Sequence, residues 1–109
     1  MKILLFGGSG QLGHELIKRA YDLNFEIVAP VESEVDIGDR HAVMYLTRQI
    51  APDLIINCAA FTAVDLAEEE IQRAYSANRD GAHNIALAAD RNKARLIHIS
   101  TDYVFDDSH

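Results

Sequence analysis

Apolar and polar positions along this chain follow two rhythms. Short apolar runs, KILLF at 2–6, FEIVA at 25–29, LIINCA at 54–59 and RLIHIS at 95–100, alternate with longer stretches in which apolar residues return every third or fourth position. The first of these stretches, QLGHELIKRAYDL, sets Leu12, Leu16, Ile17, Ala20 and Leu23 on one helical face, so the chain opens strand, helix, strand. Further on, SEVDI at 33–37 supplies a short third strand, and RHAVMYLTRQI a helix stopped by Pro52. LIINCA and RLIHIS are then the fourth and fifth strands.

The fourth strand is apolar on both faces, which requires helices above and below it and hence a parallel sheet. TAVD at 62–65 has the form of a capping box, and a long helical stretch runs on through residues 69–92. Strands joined by helices make right-handed βαβ crossovers. The predicted fold is therefore α/β, a doubly wound open parallel sheet of five strands with its ligand at the carboxyl ends of those strands. No internal repeat, low-complexity segment or linker divides the chain, so residues 1–109 are read as one domain.

Composition narrows the function. With 49% hydrophobic and 25% charged residues the chain is that of an ordinary globular domain. Seventeen acidic against ten basic side chains leave a net charge of −7, and no stretch interleaves basic with aromatic residues. Nucleic acid and anionic membrane are excluded as partners on that ground. No apolar run has transmembrane length, and the start lacks a signal-peptide pattern, so a cytoplasmic location is expected. Cys58 is the only cysteine and sits in an apolar run, which marks it as a buried structural thiol. The five histidines show no close spacing and no H-E-x-x-H, so no metal site is assigned.

The chemistry is concentrated in GGSGQLG, residues 7–13. Two glycine registers overlap: Gly7, Gly10 and Gly13 read G-x-x-G-x-x-G, and Gly8, Gly10 and Gly13 read G-x-G-x-x-G. In either, an early glycine permits the tight turn out of the strand, Gly10 lets the backbone approach a pyrophosphate, and Gly13 lets the helix pack closely. The helix amino end then faces the phosphates. A glycine-rich turn without a ligand is the competing reading. A P-loop fails because His14 and Glu15 stand where Lys and Ser/Thr are needed, and a nucleophile elbow around Ser9 fails at Gln11. Beyond the second strand, Glu32 is the carboxylate best placed for the adenosine ribose, and no Lys or Arg occurs between Arg19 and Arg40. NAD(H) is therefore favoured over NADP(H), with solvated loop charges as the alternative role of Glu32 and Glu34.

The glycine motif, NCAAFTAVDLAEEE at 57–70 and HISTDYVFD at 98–106 together resemble the extended short-chain dehydrogenase/reductases, in particular their nucleotide-sugar reductases, over essentially the whole chain. The resemblance implies a Rossmann-type fold in which Gly7, Gly10 and Gly13 are the pyrophosphate glycines, with Gln11 and Leu12 opening the helix beneath them. It places Asp36 and Ile37 beside the adenine and Ala59 and Ala60 along the cofactor. Asn78 becomes a helix asparagine with a structural or proton-relay role. Thr101 is the hydroxyl that holds the substrate carbonyl, and Ser100, Asp102 and Tyr103 shape the nicotinamide and sugar end, with a loop cap as the other role for Asp102. Pro30, Val31, Glu32 and Leu66 depart from the family's usual polar or basic residues.

Catalysis in that family resembles hydride transfer to a sugar ketone, with a Tyr as proton donor and a Lys four residues later tuning it. The four tyrosines here are followed at that spacing by Phe25, Gln49, Arg79 and Asp107, so the pair is not among these residues. The expectation is a truncated dinucleotide-binding domain without the substrate domain, inactive alone, able to associate through an exposed sheet edge. A non-catalytic dinucleotide-binding regulator and an extended-family epimerase or dehydratase remain as alternatives.

Overall fold

The computed structural model describes residues 1–8, 10–31, 34–58 and 68–99, with the side chains of the longest helix from residue 79 onward. Along the chain run β1 (Lys2–Phe6), α1 (Gln11–Asp22), β2 (Glu26–Val28), α2 (Arg40–Ile50), β3 (Leu54–Asn57), α3 (Glu68–Arg91) and β4 (Arg95–His98). The four strands pair in the order β2-β1-β3-β4, every pair parallel. The chain therefore leaves β1 to one side for β2 and returns past it for β3, which creates a topological switch point between the carboxyl ends of β1 and β3.

Side-chain alternation along β1 divides the core between the two faces of the sheet. Leu4 and Phe6 pack with Ile55, Val43, Ile85, Ala88 and Ala89, on the face covered by α2 and α3. Ile3 and Leu5 pack with Ile56, Cys58 and Ala20, where α1 adds Leu12, Leu16 and Ile17. Leu4, Leu5 and Ile55 are fully buried, as strands covered on both faces should be.

One predicted strand is corrected. Four strands, not five, lie among the described residues, because residues 34–39 of the SEVDI region form turns. Glu34 and Val35 both donate their N–H to the Val31 carbonyl, Asp36 Oδ1 accepts from Gly38 N at 2.9 Å, and the Asp39 side chain caps α2 by accepting from Ala42 N at 3.2 Å. Backbone and carboxylate groups that a strand would use in a ladder are spent on a turn and a cap. α2 itself matches its predicted span and stops at Ala51, which adopts a left-handed conformation (φ 52°) ahead of Pro52. The TAVD capping box lies outside the described residues.

Candidate functional site

The loop from β1 into α1 sits at the switch point, and its glycines separate by what each is needed for. Gly7 takes a positive φ of 78°, the conformation that turns the chain out of β1 at no steric cost. A Cβ at Gly13 would lie 2.5 Å from Gly8 Cα and 2.7 Å from the Gly8 carbonyl carbon, so Gly13 is where α1 seats on the turn itself. Gly10 differs. Its backbone is extended (φ −82°, ψ 173°), and a Cβ there would meet nothing within 4 Å among the described residues.

Gly10 is also the N-cap of α1. It offers no side-chain hydrogen bond, the first turn holds no acidic residue, and the helix ladder opens only with His14 N donating to the Gly10 carbonyl at 3.0 Å. The amide donors of the first turn and the positive end of the helix dipole thus meet no carboxylate of that turn. Among the described residues, a helix start with no side-chain cap and nothing beside its N-cap glycine suits a phosphate-bearing ligand. Gln11 is exposed, whereas Leu12 packs against the core on the α1 side of the sheet.

The turn after β2 holds Asp36 and Ile37. Asp36 is exposed, with Oδ1 engaged by Gly38 N, and Ile37 leans against α3. Glu34, weighed as a solvated charge, accepts from Val31 N through Oε1 at 3.2 Å and so caps its own turn. Glu32, Ala59, Ala60, Ser100 and Thr101 lie outside the described residues, as does the side chain of Asn78, whose backbone belongs to α3.

At the carboxyl ends of β3 and β4, buried Asn57 donates from Nδ2 to His98 Nδ1 at 3.0 Å. The Nδ1 of His98 is then the acceptor, leaving the ring proton on Nε2. His98 is thus a partly buried strand residue held by a hydrogen bond. The Asn57 pairing escaped sequence reading, although a lone amide in an otherwise apolar strand was its signal. Cys58 follows, 1% exposed, with burial pushing its thiol up to about 11; a thiol held neutral is a packing group. Gly81 and Asn84 of α3 were also missed. Among the described residues no helix is long and apolar enough to cross a membrane.

Comparison with known proteins agrees with this geometry. The chain is 40% identical over 105 residues to the spore coat polysaccharide biosynthesis protein SpsK of Bacillus subtilis, covering 96% of this chain and 37% of that one. The solved dTDP-4-dehydrorhamnose reductase of Clostridium acetobutylicum superposes with a TM-score of 0.83 at 42% identity, covering 100% of this chain and 39% of that one. The Bacillus anthracis dTDP-4-dehydrorhamnose reductase, solved in complex with NADP, gives 0.82 at 37% identity, covering 99% and 39%. The chain thus spans somewhat over a third of the length of these relatives. Since the model of the RmlD substrate binding domain family matches residues 1–109, the whole of the sequence, the chain belongs to that family.

Proposed function

We propose that this chain is the nicotinamide-dinucleotide-binding part of a nucleotide-sugar reductase, one that reduces dTDP-4-dehydrorhamnose in dTDP-L-rhamnose synthesis. One observation carries the cofactor half of the reading: Gly10, whose missing side chain serves neither a turn nor a packing contact among the described residues, borders open space at an uncapped helix start. The dinucleotide supplies the hydride when bound. The chain's own residues hold its pyrophosphate through Gly7, Gly10 and the first turn of α1, its adenosine through Glu32, Asp36 and Ile37, and its nicotinamide end through Ala59, Ala60, Asn78 and Ser100. Thr101 donates a hydrogen bond to the substrate carbonyl. Two relatives named as dTDP-4-dehydrorhamnose reductases, similar over nearly all of this chain, support the substrate.

The proton donor and the sugar-binding half belong to residues other than these, so turnover requires the longer protein. NADH is preferred to NADPH because the segment after β2 offers Glu32 and Glu34 and no cation between Arg19 and Arg40, although the Bacillus anthracis relative was solved with NADP.

Calorimetric titration of the chain with NADH and NADPH is the test. Binding is expected, and Gly10→Val should abolish it while the chain stays folded, since a Cβ at this position meets nothing among the described residues and the loss of an N-cap glycine costs on the order of 1 kcal/mol. Equal affinity in the variant would remove the assignment. Glu32→Arg should shift the ratio toward NADPH by about tenfold, the scale of one charge-assisted contact; an unchanged ratio would mean that Glu32 does not read the ribose.

A further inference from the structure

Between β2 and α2 the 36–39 turn is fastened to the middle of α3 by contacts that α3 accommodates at its own expense. Gly81 is buried inside the helix, where glycine is the poorest helix former after proline. A Cβ there would collide with Ile37 Cδ1, lie 2.5 Å from Ile37 Cγ1 and come within 3.1 Å of Ile37 Cβ. Turning the end of the isoleucine alone leaves the Cγ1 overlap, so the methyl could be admitted only by a change of the Ile37 χ1 rotamer together with a shift of a few tenths of an ångström at its Cβ. One turn along α3, Asn84 is 5% exposed and donates from Nδ2 to the Ile37 carbonyl at 3.0 Å, while its Oδ1 accepts from Arg40 Nε at 3.3 Å. The arginine fixes which way the amide points, and the amide fixes the Ile37 main chain.

We infer that Gly81 and Asn84 are positioning residues for recognition of the adenine base: α3 latches the 36–39 turn so that Asp36 and the Ile37 backbone present a fixed edge to the purine. The inference rests on the reading of Asp36 and Ile37 as the adenine pair. Gly38 N engages Asp36 Oδ1, so the other carboxylate oxygen is available as an acceptor. Such an acceptor favours the 6-amino group of adenine and repels the 6-carbonyl oxygen of hypoxanthine. Discrimination then depends on where the turn is held, and α3 holds it.

The experiment compares dissociation constants for NADH and reduced nicotinamide hypoxanthine dinucleotide, by calorimetry, in the unmodified chain, Gly81→Ala, Asn84→Asp and the Ile37→Ala/Gly81→Ala double variant. The unmodified chain should prefer adenine by about tenfold, the equivalent of one well-placed hydrogen bond. In Gly81→Ala, where the new methyl pushes Ile37 away, and in Asn84→Asp, where an oxygen replaces the donor to the Ile37 carbonyl, the ratio should fall to about twofold or less. The Ile37 side chain is turned onto α3 and only its main chain is assigned to the purine, so trimming it in the double variant makes room for the alanine methyl and should restore the preference. A general loss of stability would weaken both ligands alike and leave the ratio alone. An unchanged ratio in folded Asn84→Asp overturns the latch, as does a double variant no better than Gly81→Ala. Binding without any preference in the unmodified chain overturns the adenine reading and the latch with it, while failure to bind either dinucleotide overturns the proposed function as well.

Discussion

Gly10 and Gly13 stand three residues apart in one motif and answer to different constraints. Adding a methyl at Gly13 drives it into the backbone of Gly8 at 2.5 Å, and backbone cannot rotate away as a side chain can. Gly13→Ala should therefore destabilise the fold by about 1 to 3 kcal/mol, the usual cost of overpacking, despite the better helix propensity of alanine. Urea denaturation should show the lower midpoint. Cys58 sets a second test at the same scale. Its thiol is raised from 9.0 to about 11 by burial, so between those values the unfolded chain loses the proton and the folded one keeps it. Stability is then fully present below pH 9, falls as pH rises toward 11, and levels off beyond. That contribution reaches about 3 kcal/mol for a two-unit difference. Denaturation from pH 8 to 11 should give a steeper decline than in Cys58→Ala, whose shared tyrosines and lysines cancel in the comparison.

Elements that sequence rhythm finds most readily are those whose signal is spread over many residues, and their ends are where single groups decide. α1, α2 and four of the five predicted strands stand where apolar spacing puts them, while the SEVDI region does not, because two carboxylates and two backbone amides there outweigh the β propensity of Val35 and Ile37. Alternation cannot register such local competition. Helix stops are decided in the same way. Asn24 (φ 61°), Ala51 (φ 52°) and Lys93 (φ 55°) are left-handed at the ends of α1, α2 and α3, and none is glycine. After α1 and α3, the next amide returns to the helix, Phe25 N to Ala20 O and Ala94 N to Ala89 O at 2.9 Å. After α2 that bond cannot form, since Pro52 has no N–H. Ala51→Gly should accordingly stabilise the chain by up to about 1 kcal/mol by removing the left-handed penalty, and Asp39→Ala should cost about 1 kcal/mol by freeing the Ala42 amide. Thermal unfolding monitored by circular dichroism should move in opposite directions for the two.

At the scale of the whole molecule, the described sheet ends in two unlike edges. β2 is short, and its Glu26 pairs with Lys2 of the adjacent β1 at 3.6 Å, a charged edge that discourages strand addition. β4 offers less protection. Leu96 faces the core under α3, but Ile97, on the face where the described core draws on α1 alone, is 45% exposed, and among the described residues no strand pairs beyond it. An apolar side chain beside unpaired backbone donors and acceptors is the arrangement through which sheets join. The 109-residue chain should therefore associate with rising concentration, and Ile97→Lys should reduce that association by placing a charge on the joining surface. The fold should persist in this variant, because the position is already half in solvent. Light scattering of both proteins across a concentration series is decisive: a monomer at every concentration of the unmodified chain, or association undiminished by the lysine, would show that β4 is not where copies meet.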